Sequence, residues 1–150
     1  KLCHECFDDG VFTIQGYHDV LLNYWDYEFI NNLEKQIGRR IPFLGDETQT
    51  PLNISISEQN FGYIVKNRKI THLFLVDQSL NHIHLSIGSL NHLVTLNLYN
   101  NNLAFLPGTI QSLNNLKLLD ARKNPLDLTL SNLQKTLDLM EEEGCSIYID

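Results

Sequence analysis

Residues 93–113 read LVTLNLYNNNLAFLPGTIQSL, and the spacing of their leucines recurs on both sides at a constant step of 23 residues. Columns of apolar residues share this step: Ile70, Leu93 and Leu116; Leu73, Leu96 and Leu119; Leu75, Leu98 and Ala121; Leu80, Leu103 and Leu126. A polar column falls at the same step: Gln78, Asn101 and Asn124. So many columns in one register indicate three consecutive copies of a structural repeat.

Each unit predicts a short strand, a turn and a helical return. The leucines of its L-x-L core are two residues apart, so both face the same side of a strand. Asn101 and Asn124 follow that strand, where a side-chain amide can bond backbone groups at the turn. Gln78 takes this place in the first unit, where the hydrogen bonding of the side chain at the turn should be weaker. Ile110 and Leu113 have the spacing of a helical or 3₁₀ return. Since one unit cannot bury its leucines alone, stability must come from stacked neighbours.

The full pattern of residues 93–113, L-x-x-L-x-L-x-x-N-x-L-x-x-L-P-x-x-I-x-x-L, resembles the leucine-rich repeat. Its 23-residue form with L-P-x-x-I is similar to the Ras-group subclass, and residues 33–42, LEKQIGRRIP, resemble the N-terminal cap helix of prokaryotic members. The resemblance implies an α/β fold: a short solenoid with parallel strands on a concave face and helical or 3₁₀ returns on a convex face. It also implies a protein partner, with a small Ras-like GTPase as the candidate.

The sequence before the repeats predicts a cap. Residues 11–15 and 20–22 read as two paired strands. Asn23 or Asp26 is expected to begin an amphipathic helix that ends at Gly38. Turn-forming residues predict a loop over 43–51, alternation predicts an edge strand over 52–56, and residues 61–65 predict a hairpin that enters the repeat at Ile70.

The sequence after the repeats predicts a second cap, made of a helix and a final strand over residues 145–149. Ser131 is expected to be the N-cap of this helix, and Gly144 its stop. Its apolar side should consist of Leu130, Leu133, Leu137 and Met140. The expected segments are therefore an N-terminal ribbon (1–22), a cap helix and hairpin (23–69), the repeats (70–128) and a C-terminal helix-strand cap (129–150).

Composition excludes several classes of function. The chain has 150 residues and a net charge of −7, which argues against nucleic acid as a partner, because binding phosphates needs a basic face. No apolar run approaches the ~18 residues of a membrane span. Three cysteines form no paired framework, which favours a reducing, cytoplasmic location.

Cys3 and Cys6 have the spacing of half a zinc knuckle, and His18 is the nearest candidate for a third ligand. Two alternatives stay open. The pair could be redox-active, although the usual strand-and-helix context is absent, or it could be a remnant knuckle without metal. If zinc is bound, the alternative function is a zinc-ribbon adaptor whose N-terminal module docks a partner; otherwise no cofactor is expected.

The strand residues between the core leucines should point away from the core and form a partner-binding face. Aromatic anchors within a polar and charged rim are typical of protein-binding patches, although a mixed sheet face without function is the alternative. The predicted binding residues are His72, Phe74, Val76, Asp77, Thr95, Asn97, Tyr99, Asn100, Leu118, Asp120, Arg122 and Lys123.

Catalysis is not expected. The chain has no glycine-rich phosphate loop, no G-x-S-x-G elbow and no H-E-x-x-H run. His82 and His84 lie at variable positions after a turn, with His84 in the usual proline position, and neither has a carboxylate partner at a defined spacing. Cys145 lacks an obvious base and is expected to be a buried structural thiol.

Overall fold

The computed structural model describes residues 11–14, 20–48 and 60–150. Its strands, in chain order, are β1 (Val11–Ile14), β2 (Val20–Asn23), β3 (Phe43–Asp46), β4 (Phe61–Lys66), β5 (Lys69–Leu75), β6 (Thr95–Asn97), β7 (Leu118–Asp120) and β8 (Ser146–Tyr148). Its helices are α1 (Tyr24–Ile37), α2 (Ser131–Glu142) and two 3₁₀ helices, Leu85–Ser89 and Gly108–Ser112. β1 and β2 form an antiparallel ribbon, and the other six strands form one sheet in chain order. The predicted α/β class is confirmed, with a mostly parallel, open sheet.

The 23-residue step corresponds to neighbouring parallel strands. Leu73 pairs with Leu96, Leu96 with Leu119, and Leu119 with Ile147 of β8. The three leucines are fully buried. Because side chains alternate across a strand, the same register places the residues on either side of these leucines on the opposite face of the sheet.

The returns between the strands are 3₁₀ helices that pack side by side. Ile87 and Ile110 point from them into the core. The Thr109 hydroxyl donates to the Leu85 carbonyl at 2.7 Å. A side chain at Gly88 would lie only 2.8 Å from the Thr109 carbonyl oxygen, so this approach requires a glycine.

Asparagine side chains connect consecutive units, as predicted. The Asn101 amide donates to the carbonyls of Leu75 (2.7 Å) and Leu98 (2.9 Å), and its oxygen accepts from the Leu80 N–H at 3.0 Å. Asn124 repeats the arrangement one unit later, with donation to the Leu98 carbonyl at 2.9 Å. Both amides satisfy buried backbone groups that would otherwise lack a partner.

Gln78 repeats this pattern only locally: its side-chain amide donates to the Val76 carbonyl at 2.5 Å, and its backbone N–H donates to Asn101 of the next unit at 3.1 Å. Its side-chain oxygen accepts from Arg39, which follows α1, at 2.7 Å. In the first unit, the side chain at this position therefore contacts the N-terminal cap and not a preceding unit.

The helix α1 begins and ends where the sequence predicts. The Asn23 side chain is the N-cap and accepts from the Trp25 and Asp26 N–H groups at 3.0 and 3.1 Å. Gly38 ends the helix in the left-handed conformation, with φ of 78°. One side of α1, with Phe29 as its largest fully buried side chain, lies in the core.

The predicted hairpin is confirmed: β4 and β5 are antiparallel and joined through Asn67 and Arg68, which have φ of 50° and 64°. Positive φ at both central residues matches the twist of the strands. The predicted loop over 43–51 is wrong in part, because β3 pairs in parallel with the free edge of β4. The strand predicted over 52–56 lies outside the described residues.

The C-terminal cap is formed by α2 and β8. Leu133, Leu137 and Met140 are buried, as predicted, and β8 pairs in parallel with β7. Two predictions are wrong. Leu130, rather than Ser131, is the N-cap, and it makes no side-chain capping bond. Leu130 is also 48 % exposed, because it precedes the first helical turn and does not continue the apolar side.

Candidate functional site

The sheet has a face opposite the leucine core, which we call the outer face. Its first row contains His72, Thr95, Leu118 and Ser146, which are neighbours on β5 to β8. Its second row contains Phe74, Asn97, Asp120 and Tyr148. The strands therefore bring six of the predicted binding residues together in two of the predicted columns, and the other six follow the ends of β5, β6 and β7.

The half of the outer face on β5 is not open to solvent, which corrects the sequence prediction. Phe74 is only 1 % exposed, His72 6 % and Val76 9 %. None of these three residues is available to anchor a partner in this structure. The two large apolar side chains add to the buried interior instead.

Strand β3 comes close to the hairpin strand that pairs with β5. The Leu44 side chain lies against Gly62, which pairs with Phe74 across the β4–β5 hairpin. A Cβ atom at Gly62 would come within 2.6 Å of Leu44 Cγ and 2.7 Å of the Pro42 carbonyl oxygen. Gly62 also has φ of 140°, a conformation that L side chains rarely adopt. The glycine thus allows Leu44 and Pro42 to approach β4 closely.

Glu47, just after β3, contacts the buried His72 side chain. Its Oε1 lies 3.4 Å from Nε2 of His72, whose ring is stacked on Phe74 with centroids 6.3 Å apart. Nδ1 of His72 is buried and has no hydrogen-bond partner among the described residues. Burial lowers the pKa of His72, and the Glu47 carboxylate opposes that shift only in part. His72 is therefore a neutral structural residue at pH 7.

The half of the outer face on β6 to β8 remains open. Arg122 lies between two tyrosines, with its guanidinium carbon 5.6 Å from the Tyr99 ring centroid and 5.3 Å from that of Tyr148. We call Tyr99, Arg122 and Tyr148 the tyrosine platform. Tyr148 is 47 % exposed, and the Arg122 side chain is exposed to the same degree.

Asp120 fixes the arginine of the tyrosine platform. Its carboxylate accepts from Nε of Arg122 at 3.0 Å and from Nη2 at 2.6 Å, a bidentate geometry. The Asp120 side chain is only 10 % exposed, so the carboxylate lies beneath the guanidinium. The hydrogen bond from Arg122 to Asp120 and the charge of that carboxylate raise the pKa of Arg122.

A second cation lies beside Tyr99. Nζ of Lys123 is 5.1 Å from the Tyr99 ring centroid, and the Tyr99 phenol raises the pKa of the lysine. Lys123 shares its 23-residue column with Asp77 and Asn100, and all three have positive φ, at 54°, 59° and 56°. These residues form the turn edge of the outer face, where the Asn100 amide donates to the Asp77 carboxylate.

The predicted binding residues therefore fall into two sets. Five are buried: His72, Phe74, Val76, Thr95 and Asp120. Seven are half-buried or exposed: Asp77, Asn97, Tyr99, Asn100, Leu118, Arg122 and Lys123. Tyr148 is not among the predicted residues, although the alternation of Cys145, Ile147 and Ile149 places it in the same row as Asp120 once β8 is aligned with β7.

Of the two histidines near the first 3₁₀ helix, His84 has a structural role. Nδ1 of His84 accepts from the Ser86 N–H at 3.2 Å and caps that helix. His84 holds the N-cap position that Pro107 holds in front of the second 3₁₀ helix. Cys145 is buried, as predicted.

The predicted zinc half-site, Cys3, Cys6 and His18, lies outside the described residues. The described part of the chain contains no group of three or more histidine, cysteine or acidic side chains that could hold a metal ion.

None of the helices in the described part of the chain is both long and apolar enough to cross a lipid bilayer.

Comparisons of the chain with protein-family models, with curated proteins and with solved structures find no match.

Proposed function

We propose that this chain is a small leucine-rich-repeat solenoid, closed at one end by α1 and the hairpin and at the other by α2 and β8. Three features support the proposal. Strands 23 residues apart are parallel neighbours, their leucines share one core, and asparagine amides join each unit to the one before it. Stacking of units that cannot fold alone is the principle of such repeats.

We further propose that the protein is a non-catalytic scaffold in the cytoplasm that binds a partner protein through the open half of the outer face. The observation that carries this function is the tyrosine platform, in which Arg122 lies between the rings of Tyr99 and Tyr148 where β6 and β7 end. Tyrosine and arginine are enriched among residues that dominate binding energy, because they combine a large contact area with hydrogen bonding. The family resemblance makes a small Ras-like GTPase the first partner to test.

The test is to immobilise the wild-type protein and the double variant Tyr99→Ala/Tyr148→Ala, and to compare their binding of purified Ras-like GTPases and of proteins from a cell extract. We expect the double variant to lose at least about tenfold in affinity, as aromatic hot spots typically contribute more than ~2 kcal/mol. Phe105→Ala is the matched control. Phe105 is also 47 % exposed, but it lies beside the second 3₁₀ helix and α2.

Partner binding that is lost in the double variant and kept in Phe105→Ala supports the proposal. Binding that survives the double substitution, or that depends on Phe105, would place the interaction elsewhere on the molecule. Circular dichroism of each variant verifies that the fold is retained.

A further inference from the structure

A cleft lies between the second 3₁₀ helix and α2, and we call it the C-terminal cleft. Residues 105–108 line one side of it, and Leu130, Asn132, Leu133 and Thr136 line the other. Its volume is about 350 Å³, which is at the lower end of small-molecule sites. The cleft therefore has room for a ligand of modest size.

The C-terminal cleft is largely apolar and carries no charge. Leu106 and Leu133 are buried and form its floor, whereas Phe105 and Leu130 are half exposed at its rim. None of the residues that line it is acidic or basic. Large apolar side chains that stay exposed around a cleft are typical of binding sites. A charged ligand would lose solvation there without gaining a partner, so the lining selects an uncharged one.

The repeat itself does not require this apolar lining. Phe105 follows His82 by 23 residues, and Pro107 follows His84 by the same step. The two histidines line a cleft of similar volume, about 360 Å³, against α1. Polar groups bind within the molecule there, since the Gln36 amide donates to the His82 carbonyl at 2.9 Å and His84 caps the first 3₁₀ helix. These repeat positions thus accept exposed polar side chains, and the fold alone does not explain the apolar C-terminal cleft.

Two polar side chains of the C-terminal cleft have no internal role. Neither the Asn132 amide nor the Thr136 hydroxyl has a hydrogen-bond partner among the described residues. They are four residues apart on α2, so they lie on the same side of the helix. Small-molecule sites typically combine an apolar lining with a few such groups, which fix the orientation of the ligand.

We propose that the C-terminal cleft binds an uncharged small molecule with a largely apolar body and one or two hydrogen-bonding groups. The body lies on the leucines of the floor beside Phe105, and the polar groups meet Asn132 and Thr136. Only eight residues line the cleft, whereas a stable protein interface takes roughly 20 residues a side, so its size favours a small molecule over a protein. The inference goes beyond the proposed function and does not depend on the tyrosine platform.

The test uses N-phenylnaphthylamine, an uncharged fluorescent probe of this chemistry, and two analogues that carry a sulfonate or an ammonium group. We expect the probe to bind the full chain in a saturable way, with a rise in its fluorescence and with NMR shifts at Phe105, Leu130 and Leu133. Both charged analogues should bind at least about tenfold more weakly, because the cleft offers no opposite charge.

Gly108 allows the C-terminal cleft to be filled without disturbing the fold. A Cβ atom at Gly108 would have no neighbour within 4 Å, and Leu85 holds the same position in the first unit. Gly108→Leu should therefore weaken probe binding at least about tenfold while the unfolding midpoint stays close to that of the wild type. Phe105→Ala, which removes part of the rim, should weaken it as well. Leu85→Ala is the matched control and should leave probe binding unchanged, because Leu85 is exposed outside the cleft.

The absence of saturable probe binding, equal binding of either charged analogue, or undiminished binding to both Gly108→Leu and Phe105→Ala would each overturn the inference. Tyr99→Ala/Tyr148→Ala should bind the probe as the wild type does. A loss of probe binding in that double variant would place the probe on the tyrosine platform and overturn the inference too.

Discussion

The Asp26 carboxylate accepts a hydrogen bond from the Ile70 N–H at 2.7 Å, across 44 residues of sequence. Asp26 belongs to the first turn of α1, and Ile70 lies near the start of β5. Both residues are buried. One side chain therefore joins the N-terminal cap to the first strand of the parallel sheet, at a backbone donor that would otherwise be unsatisfied.

We predict that Asp26→Ala lowers the free energy of unfolding by ~1–3 kcal/mol, the typical cost of leaving a buried donor without its acceptor. Asp26→Asn is the matched control, because its amide oxygen can still accept from Ile70 without a buried charge. Urea denaturation at pH 7 should rank Asp26→Asn equal to or above the wild type, and Asp26→Ala below both. Equal stability of the alanine variant and the wild type would contradict this role.

The same residue should affect the pH dependence of stability. Burial raises the pKa of Asp26 above its ordinary value of 3.8, and the hydrogen bond from Ile70 opposes this shift only in part. The folded protein then binds the proton more tightly than the unfolded chain, so the contribution of Asp26 to stability falls as the pH rises above about 3.8. Stability curves of the wild type and Asp26→Asn, measured between acidic and neutral pH, should diverge in that direction.

His72 should act in the opposite direction. Its pKa is lower in the folded protein than its ordinary value of 6.5, so its contribution is complete above that pH and is lost as the pH falls through the folded value. Glu47→Gln removes the charge that raises this pKa, so the loss should move to lower pH. An NMR titration of the His72 ring measures the shift directly, with His82→Gln as an exposed control. A His72 pKa that does not move would rule out the contact with Glu47.

Leu98→Ala should lower the free energy of unfolding by ~2–5 kcal/mol, because it opens a cavity in the shared core. Leu98 is fully buried, whereas Leu85, on the first 3₁₀ helix, is 63 % exposed. Leu85→Ala should therefore change stability by less than ~0.5 kcal/mol. Similar unfolding midpoints for the two variants would be inconsistent with the observed core.

Asn101→Ala should cost more than ~2 kcal/mol, because it leaves several buried backbone groups of two consecutive units without partners. The neighbouring Asn102 is exposed, so Asn102→Ala should have little effect on stability. Hydrogen exchange at the Leu80 N–H, which donates to Asn101, reports the loss locally. Unchanged protection of that amide would show that the bond is absent in solution.

The spacing of residues in the sequence predicted the parallel strands, the returns and the asparagine bonds, because each of these depends on residues that recur every 23 positions. It could not predict β3, since Gly45 and Asp46 are typical turn residues and the pairing partner of β3 begins at Phe61. Leu130 fits the apolar spacing of α2, yet spacing alone does not show where the first helical turn begins.

The outer face was predicted only in part, for a related reason. The columns themselves follow from strand alternation, but the burial of Phe74 does not, and neither does the close approach of Leu44 to Gly62, the residue that pairs with Phe74. Leu44 and Gly62 both precede the repeats, so the 23-residue period could not predict their contact. Tyr148 belongs to a strand outside the 23-residue step, so its place beside Arg122 becomes visible only when β8 is aligned with β7.

The asparagine bonds also make the strands of the sheet unequal in what is lost when one of them detaches. Asn101 reaches back to Leu75, so detaching β5 would strip this amide of a partner in the preceding unit. Detaching β8 breaks none of the bonds that Asn101 and Asn124 make, because all of them run to residues before β8. Fraying of the carboxyl-terminal edge, where Tyr148 lies, therefore leaves these bonds intact, and a bound partner that spans β6 to β8 would oppose that fraying.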